Sequence, residues 1–505
     1  MTKLLRFIFF LPTFVFSQIT FQRIYGDSGP DLGYSVQQTR GGGYIIAGET
    51  WPLGEELQDV YLIKTDSLGN PQWQRTYGGS SYDLGRSVQQ TFDGGYIITG
   101  GTESFGAGGT DVYLIKTDAN GDTVWTRTYG GSYGDWGLSV VQTPDSGYIL
   151  TGVTMSFGAG DWDVYLIKTD KNGEMVWAKT FGWENMDCGN SIALTPDGGY
   201  IIGGVTYSTP NGEGDIYIIK TKANGDTIWT KTYGGDAYEW GAPIAVTNDG
   251  GYIVTGERLI SRNCGSLRIK PKTFSFTGQL IACSQQENRD VWILKLNATG
   301  DTIWTKTYGG LDCDCGLSIQ PTQDNGYIIA GHTTLLGTGE DVWLIKTDSQ
   351  GDTVWTKIYG GAYRDEGWAV RQTLDGGYII AGGTDSFGTG LDDVYLIKTD
   401  ANGNVGIAEK KPKIKPRCFS IEPNPFSNFT EISYSIQKTS YVSCGIYDVS
   451  GKLVRELKSG SAVPGVYNLK WDGRDEKNAR LSPGIYFINL KTNESKITRK
   501  IVLLR

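Results

Sequence analysis

DVYLIKTDANGDTVWTRTYG, residues 111–130, reads as two β-strands folded back on one tight turn. VYLIK is rich in aromatic and branched residues, and TVWTRTY follows after Ala119-Asn120-Gly121-Asp122, where glycine supplies the positive φ of a hairpin. Just upstream, SVQQT (87–91) and YIITG (96–100) flank Phe92-Asp93-Gly94-Gly95, a second hairpin. Apolar runs without clean alternation fit strands covered on both faces. No stretch of the chain has the pattern of an amphipathic helix. The unit is therefore a four-stranded sheet.

That unit recurs. Its last-strand aromatic falls at Phe21, Trp73, Trp125, Trp177, Trp229, Trp304 and Trp355, at spacings of 52, 52, 52, 52, 75 and 51. Its hairpin tyrosine falls at Tyr44, Tyr96, Tyr148, Tyr200, Tyr252, Tyr327 and Tyr378. A fixed period of this size means a solenoid, a propeller or an array. Four-stranded sheets packed face to face about an axis make a β-propeller. After the seventh DVYLIKTD (393–400) the Trp strand is missing, whereas ITFQRIYG (19–26) matches that strand with no unit before it. The expectation is an all-β chain: a seven-bladed propeller over residues 18–405, closed by its N-terminal strand. An open solenoid would need distinct capping repeats, which are absent.

KTDANGDTVW (116–125) resembles the tryptophan-docking turn of quinoprotein-type propellers, an Asp–x–x–Gly–x–x–x–Trp hairpin. The resemblance covers all seven units and bears on blade construction. Members of that family have eight blades, a calcium-bound quinone and often a vicinal disulfide. Here there are seven units, and Asp314 separates Cys313 from Cys315, so the quinone is not carried over and no cofactor is expected.

Residues 1–17 carry Lys3 and Arg6, then an apolar stretch, then Val15 and Ser17 at small-residue cleavage positions. They read as a secretory signal peptide, and no later segment reaches the length of a membrane span. Residues 1–405 hold 28 Lys/Arg against 46 Asp/Glu, whereas 406–505 hold 18 against 9. An acidic propeller does not suit nucleic acid, whose binding depends on neutralising phosphates. Seven cysteines leave at least one unpaired. Cys264 and Cys283 share the insertion at 257–289 and suit a loop-closing disulfide. Cys313 and Cys315 suit a local structural role or a disulfide better than a metal clip.

Residues 406–417 form a Pro- and Lys-rich linker. Beyond it, short strands with turns about every ten residues indicate a small sandwich. Over 418–505 the motifs run in order: Pro423-Asn424-Pro425-Phe426, Tyr447-Asp448-x-x-Gly451-Lys452-x-Val454, Trp471-Asp472-Gly473, Pro483-Gly484-Ile485-Tyr486 and Lys500-Ile501-Val502-Leu503. This segment resembles the type A C-terminal sorting domain of the type IX secretion system, and the immunoglobulin-like module of flagellar hook-capping proteins. The resemblance implies partnership with the type IX machinery and export through the periplasm to the cell surface or the medium.

Three features could carry function. The first is an acidic residue two positions before a glycine in every unit: Asp31, Asp83, Asp135, Asp187, Glu239, Asp314 and Asp365. Each either caps its own turn or contributes to a ring that collects a cation, for which calcium has the right ligand chemistry. The third-strand aspartates (Asp59, Asp111, Asp163, Asp215, Asp290, Asp341 and Asp393) begin on the same face. The second is aromatic: Trp136, Trp240, Trp368, Trp51 and Trp162 depart from the repeat and fall in the loops of that face, suited either to stacking on sugars or to packing between blades. The third is the long loop of the fifth unit, basic through Arg258, Arg262, Arg268, Lys270, Lys272 and Arg289. Long loops on rigid scaffolds often carry function. His332 is the only histidine, and neither a nucleophilic triad nor a His-spaced metal motif can be built around it. The reading is an exported, non-enzymatic binding or adhesion module for carbohydrate or a surface protein. A secreted polysaccharide-acting enzyme with an acidic pair, or a structural surface-layer component, are the alternatives.

Overall fold

The computed structural model describes residues 18–406 and 419–504. The exceptions are 28, 52–56, 211–212, 236, 263–286, 311–312, 335–338, 389–390, 423, 425, 437–439, 464 and 493–495. The chain divides into two compact units, 1–411 and 412–505. Residues 1–17, Cys264, Cys283 and the linker at 407–417 lie outside the described residues, so the expectations for them do too.

Every strand of the first unit belongs to a four-stranded antiparallel sheet, and its described residues contain no helix. The second sheet is typical, with strands Asp83–Gln90, Tyr96–Thr102, Asp111–Thr117 and Thr123–Tyr129 in chain order. Seven such sheets are described in this unit. In the last, Phe21–Tyr25 pairs with Asp393–Thr399, so the fourth strand comes from the other end of the unit. The two middle strands of this second sheet are buried throughout, whereas Thr123–Tyr129 is exposed or half-buried up to the buried Tyr129. Apolar side chains of neighbouring sheets interdigitate: Ile45, Leu62, Val88, Tyr96 and Tyr113 share one cluster across the first two. Sheet-on-sheet burial of this kind is the main favourable term for the unit. Repeated four-stranded sheets packed in this way have the build of propeller blades.

Trp73 of the first sheet lies against Gly121, in the outer hairpin of the second. Gly121 has φ +81°, which glycine adopts without strain, and a Cβ there would stand 2.9 Å from the indole. Tyr77 of the same strand donates its hydroxyl to the Gly121 carbonyl at 2.6 Å. Trp125 and Tyr129 repeat the arrangement on Gly173, and Phe21 and Tyr25 repeat it on Gly69. The period that marks these aromatics in sequence thus corresponds to one docking joint per sheet. In six of the seven sheets the lysine near the end of the third strand is buried and reaches the hairpin Asp; in the first, whose hairpin is Arg40-Gly41-Gly42-Gly43, Lys64 donates instead to Gln72 and to the Thr65 carbonyl. The Lys116–Asp93, Lys168–Asp145 and Lys398–Asp375 pairs are each 3.0 Å.

The second unit has a three-stranded sheet (Phe419–Glu422, Thr430–Ile436, Gly465–Trp471) and a four-stranded sheet (Leu453–Ala462, Ser440–Tyr447, Gly484–Lys491, Lys496–Leu503). Phe426 of the Pro-Asn-Pro-Phe motif packs 5.3 Å from Trp471 of the Trp-Asp-Gly motif, which meets Tyr486 edge-on at 5.4 Å. All three are buried, so these motif residues build the core. Asp448 caps its turn by accepting from the N–H groups of Ser450 and Lys452.

Candidate functional site

The acidic residues expected on the loop face are buried, and six of them hold their own turns in the same way. Asp31, Asp83, Asp135, Asp187, Asp314 and Asp365 each accept the backbone N–H four residues earlier, at 2.8 to 3.0 Å. Ser104 and Ser156 add side-chain bonds to Asp83 and Asp135 at 2.6 and 2.7 Å. In the fifth sheet the longer Glu239 pairs with Arg258 at 3.0 Å. Third-strand aspartates do likewise: Asp111 accepts from the Ala107 N–H at 2.8 Å and Asp163 from the Ala159 N–H at 2.9 Å. Among the described residues no three of these carboxylates bring ligand atoms together. The geometry of turn caps accounts for the repetition.

Burial has a charge consequence. It pushes the Asp31 and Asp341 carboxyls up to about 6, with neighbouring Asp393 and Asp365 adding to the effect. Glu239 rises to about 7, again by burial first, with Arg258 opposing and Asp215 reinforcing. A folded pKa above the unfolded value means the folded chain holds the proton more tightly. The resulting stability is complete below the unfolded value near 4 and is lost as pH climbs through 6 to 7. Asp197 and Asp249 shift the other way, to about 2, through bonds to Lys220 and Lys295 that outweigh their partial burial. Their contribution is lost only as pH falls from about 4 toward 2. The melting temperature should therefore be higher at pH 5 than at pH 7.5 in a calorimetric series. A steady fall from pH 7.5 to pH 5 would refute the assignment.

Three positions per unit vary where the rest repeats, and the structure gathers them. One follows the capping acid on the first strand, one follows the glycine of the second strand, and one precedes the third-strand Asp. The first two are cross-strand partners within a sheet, as Trp136↔Val153, Cys315↔His332 and Glu366↔Gly383. The third bonds through its backbone carbonyl to the capping acid of the next sheet: Thr110 to Asp135 at 2.6 Å, Trp162 to Asp187 at 2.8 Å, Glu340 to Asp365 at 2.6 Å. Each junction between sheets thus brings three residues together, two from one sheet and one from the next. Gly101, Thr110 and Trp136 meet in this way, with the indole and the threonine methyl both against Gly101. Glu257, Arg289 and Cys315 meet likewise: Arg289 pairs with Glu257 at 2.6 Å, and the Cys315 thiol donates to Glu257 Oε2 at 2.6 Å.

The expected tryptophans separate on this map. Trp136 and Trp162 stack on each other at 5.8 Å and 26°, both partly exposed. Trp240 is buried against Tyr238 and Tyr207, which corrects its expected place on an open surface; the two tyrosines form its pocket. Trp368 is partly buried, edge-on to Tyr34, and donates its indole N–H to Glu366 at 3.2 Å. Trp51 is partly buried and bonds through its backbone to Pro30. Missed in sequence were Phe105, Tyr133, Phe157 and Trp183, all exposed, the two phenylalanines and Trp183 each resting on a third-strand tyrosine, Tyr113, Tyr165 and Tyr217. Their signal was an aromatic in a turn-rich stretch such as Ser104-Phe105-Gly106. Of the basic loop, Arg258 and Arg289 are taken up by Glu239 and Glu257, because those buried carboxylates need partners; the stretch 263–286 lies outside the described residues. Cys313 is disulfide-bonded, whereas Cys315 is a buried thiol outside any disulfide.

The segment 431–496 matches the family of the FlgD Ig-like domain. No curated protein matches the chain. Among solved structures the chain is similar to PorZ, a surface component of the type IX secretion system of Porphyromonas gingivalis. Identity is 13%, with 95% of this chain and 60% of that chain covered and a TM-score of 0.42. It is also similar to the WD40 domain of Neurospora crassa Pan2 (11% identity, 76% and 92% covered, TM-score 0.44). A third is Sqt1 of Chaetomium thermophilum (11% identity, 96% and 100% covered, TM-score 0.42). The chain thus spans 60% of the length of PorZ.

Proposed function

We propose that this protein is an exported surface-binding module: a closed seven-bladed propeller whose loop face takes a glycan, carried outward by residues 418–505. The observation that carries the binding role is the arc of aromatic rings on consecutive loops of the second, third and fourth sheets: Phe105, Tyr133, Trp136, Phe157, Trp162 and Trp183. The four on the loop tips are each at least 45% exposed, far more than a core-building aromatic requires. Rigid rings of this kind lose little entropy on binding and offer flat apolar faces to the C–H faces of sugar rings. The export role rests on the ordered motifs of 418–505, on the FlgD Ig-like match within them, and on the charged-then-apolar start of the chain.

Retention on an immobilised glycan panel tests the binding role. The paired substitution Trp136→Ala and Trp162→Ala should abolish retention of the full chain while the melting temperature stays within a few degrees. Unchanged retention, or no glycan retained by the parent, would sink the idea. For export, removing 418–505 should hold the propeller in the periplasm, and its appearance at the cell surface would count against the sorting role.

A further inference from the structure

The junction between the sixth and seventh sheets differs from its neighbours in chemistry. Its three side chains are His332, Glu340 and Glu366, with one ligand atom from each lying within 4.8 Å of the others. His332 is on Tyr327–Thr333, Glu340 immediately precedes Asp341–Thr347, and Glu366 is on Asp365–Gln372 of the next sheet. His332 is 5% exposed, and its Nδ1 has no hydrogen-bond partner. A buried polar nitrogen left unsatisfied destabilises the fold, so an occupant that bonds to it is favoured. Glu366 is 8% exposed. One of its oxygens takes the Trp368 indole N–H at 3.2 Å, and the other is 4.0 Å from Arg364. Arg364 is itself held by Asp392 at 3.0 Å. The adjacent junction shows what a saturated set looks like, since Glu257, Arg289 and Cys315 are bonded to one another.

We propose that His332, Glu340 and Glu366 bind a divalent transition-metal ion of the zinc type, which bridges the two sheets. One imidazole and two carboxylates supply an N/O donor set and two negative charges, which such an ion neutralises. Three protein ligands leave a fourth position for water, as in sites that act on substrates. Calcium is disfavoured, because it takes six to eight oxygens and does not seek an imidazole. Cys315 pairs across the strand from His332 but stays outside the donor set. Its thiol donates instead to Glu257, at the neighbouring junction. The indole of Trp368 orients Glu366, as outer partners of metal ligands commonly do.

Titration of the purified full-length chain with Co²⁺ and Zn²⁺ tests this. One ion per chain should bind. Co²⁺ should give the intense visible absorption of a four-coordinate site, and Zn²⁺ should bleach it. His332→Ala and Glu366→Gln should each weaken Zn²⁺ by about 100-fold, whereas Glu174→Gln on an outer hairpin should not. If the buried substitutions unfold the chain, Glu340→Gln at the partly exposed edge serves in their place and should weaken binding similarly. Absence of the visible band, Zn²⁺ binding indifferent to these substitutions, or a preference for Ca²⁺ over Zn²⁺ would each overturn the assignment.

Discussion

Gly100→Ala should prevent the chain from folding, or lower its melting temperature by more than 10 °C. In the second sheet the register shifts between Gly85 and Ser87, and this bulge pushes the Leu84 carbonyl toward the neighbouring strand. A Cβ on Gly100 would overlap that carbonyl oxygen and stand 2.7 Å from its carbon. Both atoms are backbone, so no rotamer change relieves the clash. Gly48, Gly152, Gly204, Gly331 and Gly382 are in the same position against the carbonyls of Leu32, Trp136, Cys188, Cys315 and Glu366. Overpacking of backbone against backbone belongs at the severe end of single substitutions, at about 4 kcal/mol or more. Thermal melting of the purified variant reads the effect. A shift of only a degree or two would mean that the inner strands are not pressed together as described.

Removing residues 18–26 should be nearly as damaging. Phe21–Tyr25 occupies the edge of the sheet formed by 365–399, and Phe21 and Tyr25 are buried in a cluster that includes Tyr44, Ile46, Val394 and Leu396. Loss of two buried aromatics costs on the order of 5 kcal/mol by comparison with large-to-small core substitutions. It also strips the pairing from Asp393–Thr399 and leaves an apolar edge open to association. Size-exclusion chromatography and melting should show a destabilised, self-associating species. A monomer with an unchanged melting temperature would contradict this role of the N-terminal strand.

Much of this architecture was legible because the repeat is strong and its turns are chemically explicit. The Phe-Asp-Gly-Gly and Ala-Asn-Gly-Asp stretches fall at turns, and the orphan strand 19–26 pairs where the missing seventh Trp strand pointed. The reason for Gly100 was not legible, because an alternation pattern does not reveal a bulge. Which of the two roles Trp240 takes was not legible, because its pocket is built from Tyr207 and Tyr238, residues whose approach depends on two different sheets. The charges of Arg258 and Arg289 looked available because their acidic partners lie inside the sheets. His332, Glu340 and Glu366 escaped for a related reason: no motif spaces them, and only the junction between two sheets makes them neighbours. Their common signal was departure from the repeat at the three variable positions.

The central claim is that ligand recognition belongs to the loop face of the second to fourth sheets. Hydrogen exchange of the full chain with and without a retained glycan tests it most directly. Protection should gather in loops 104–110, 130–136, 155–162 and 182–187. Protection confined to the outer hairpins at 118–122 and 170–174, or no protection at all, would contradict the account.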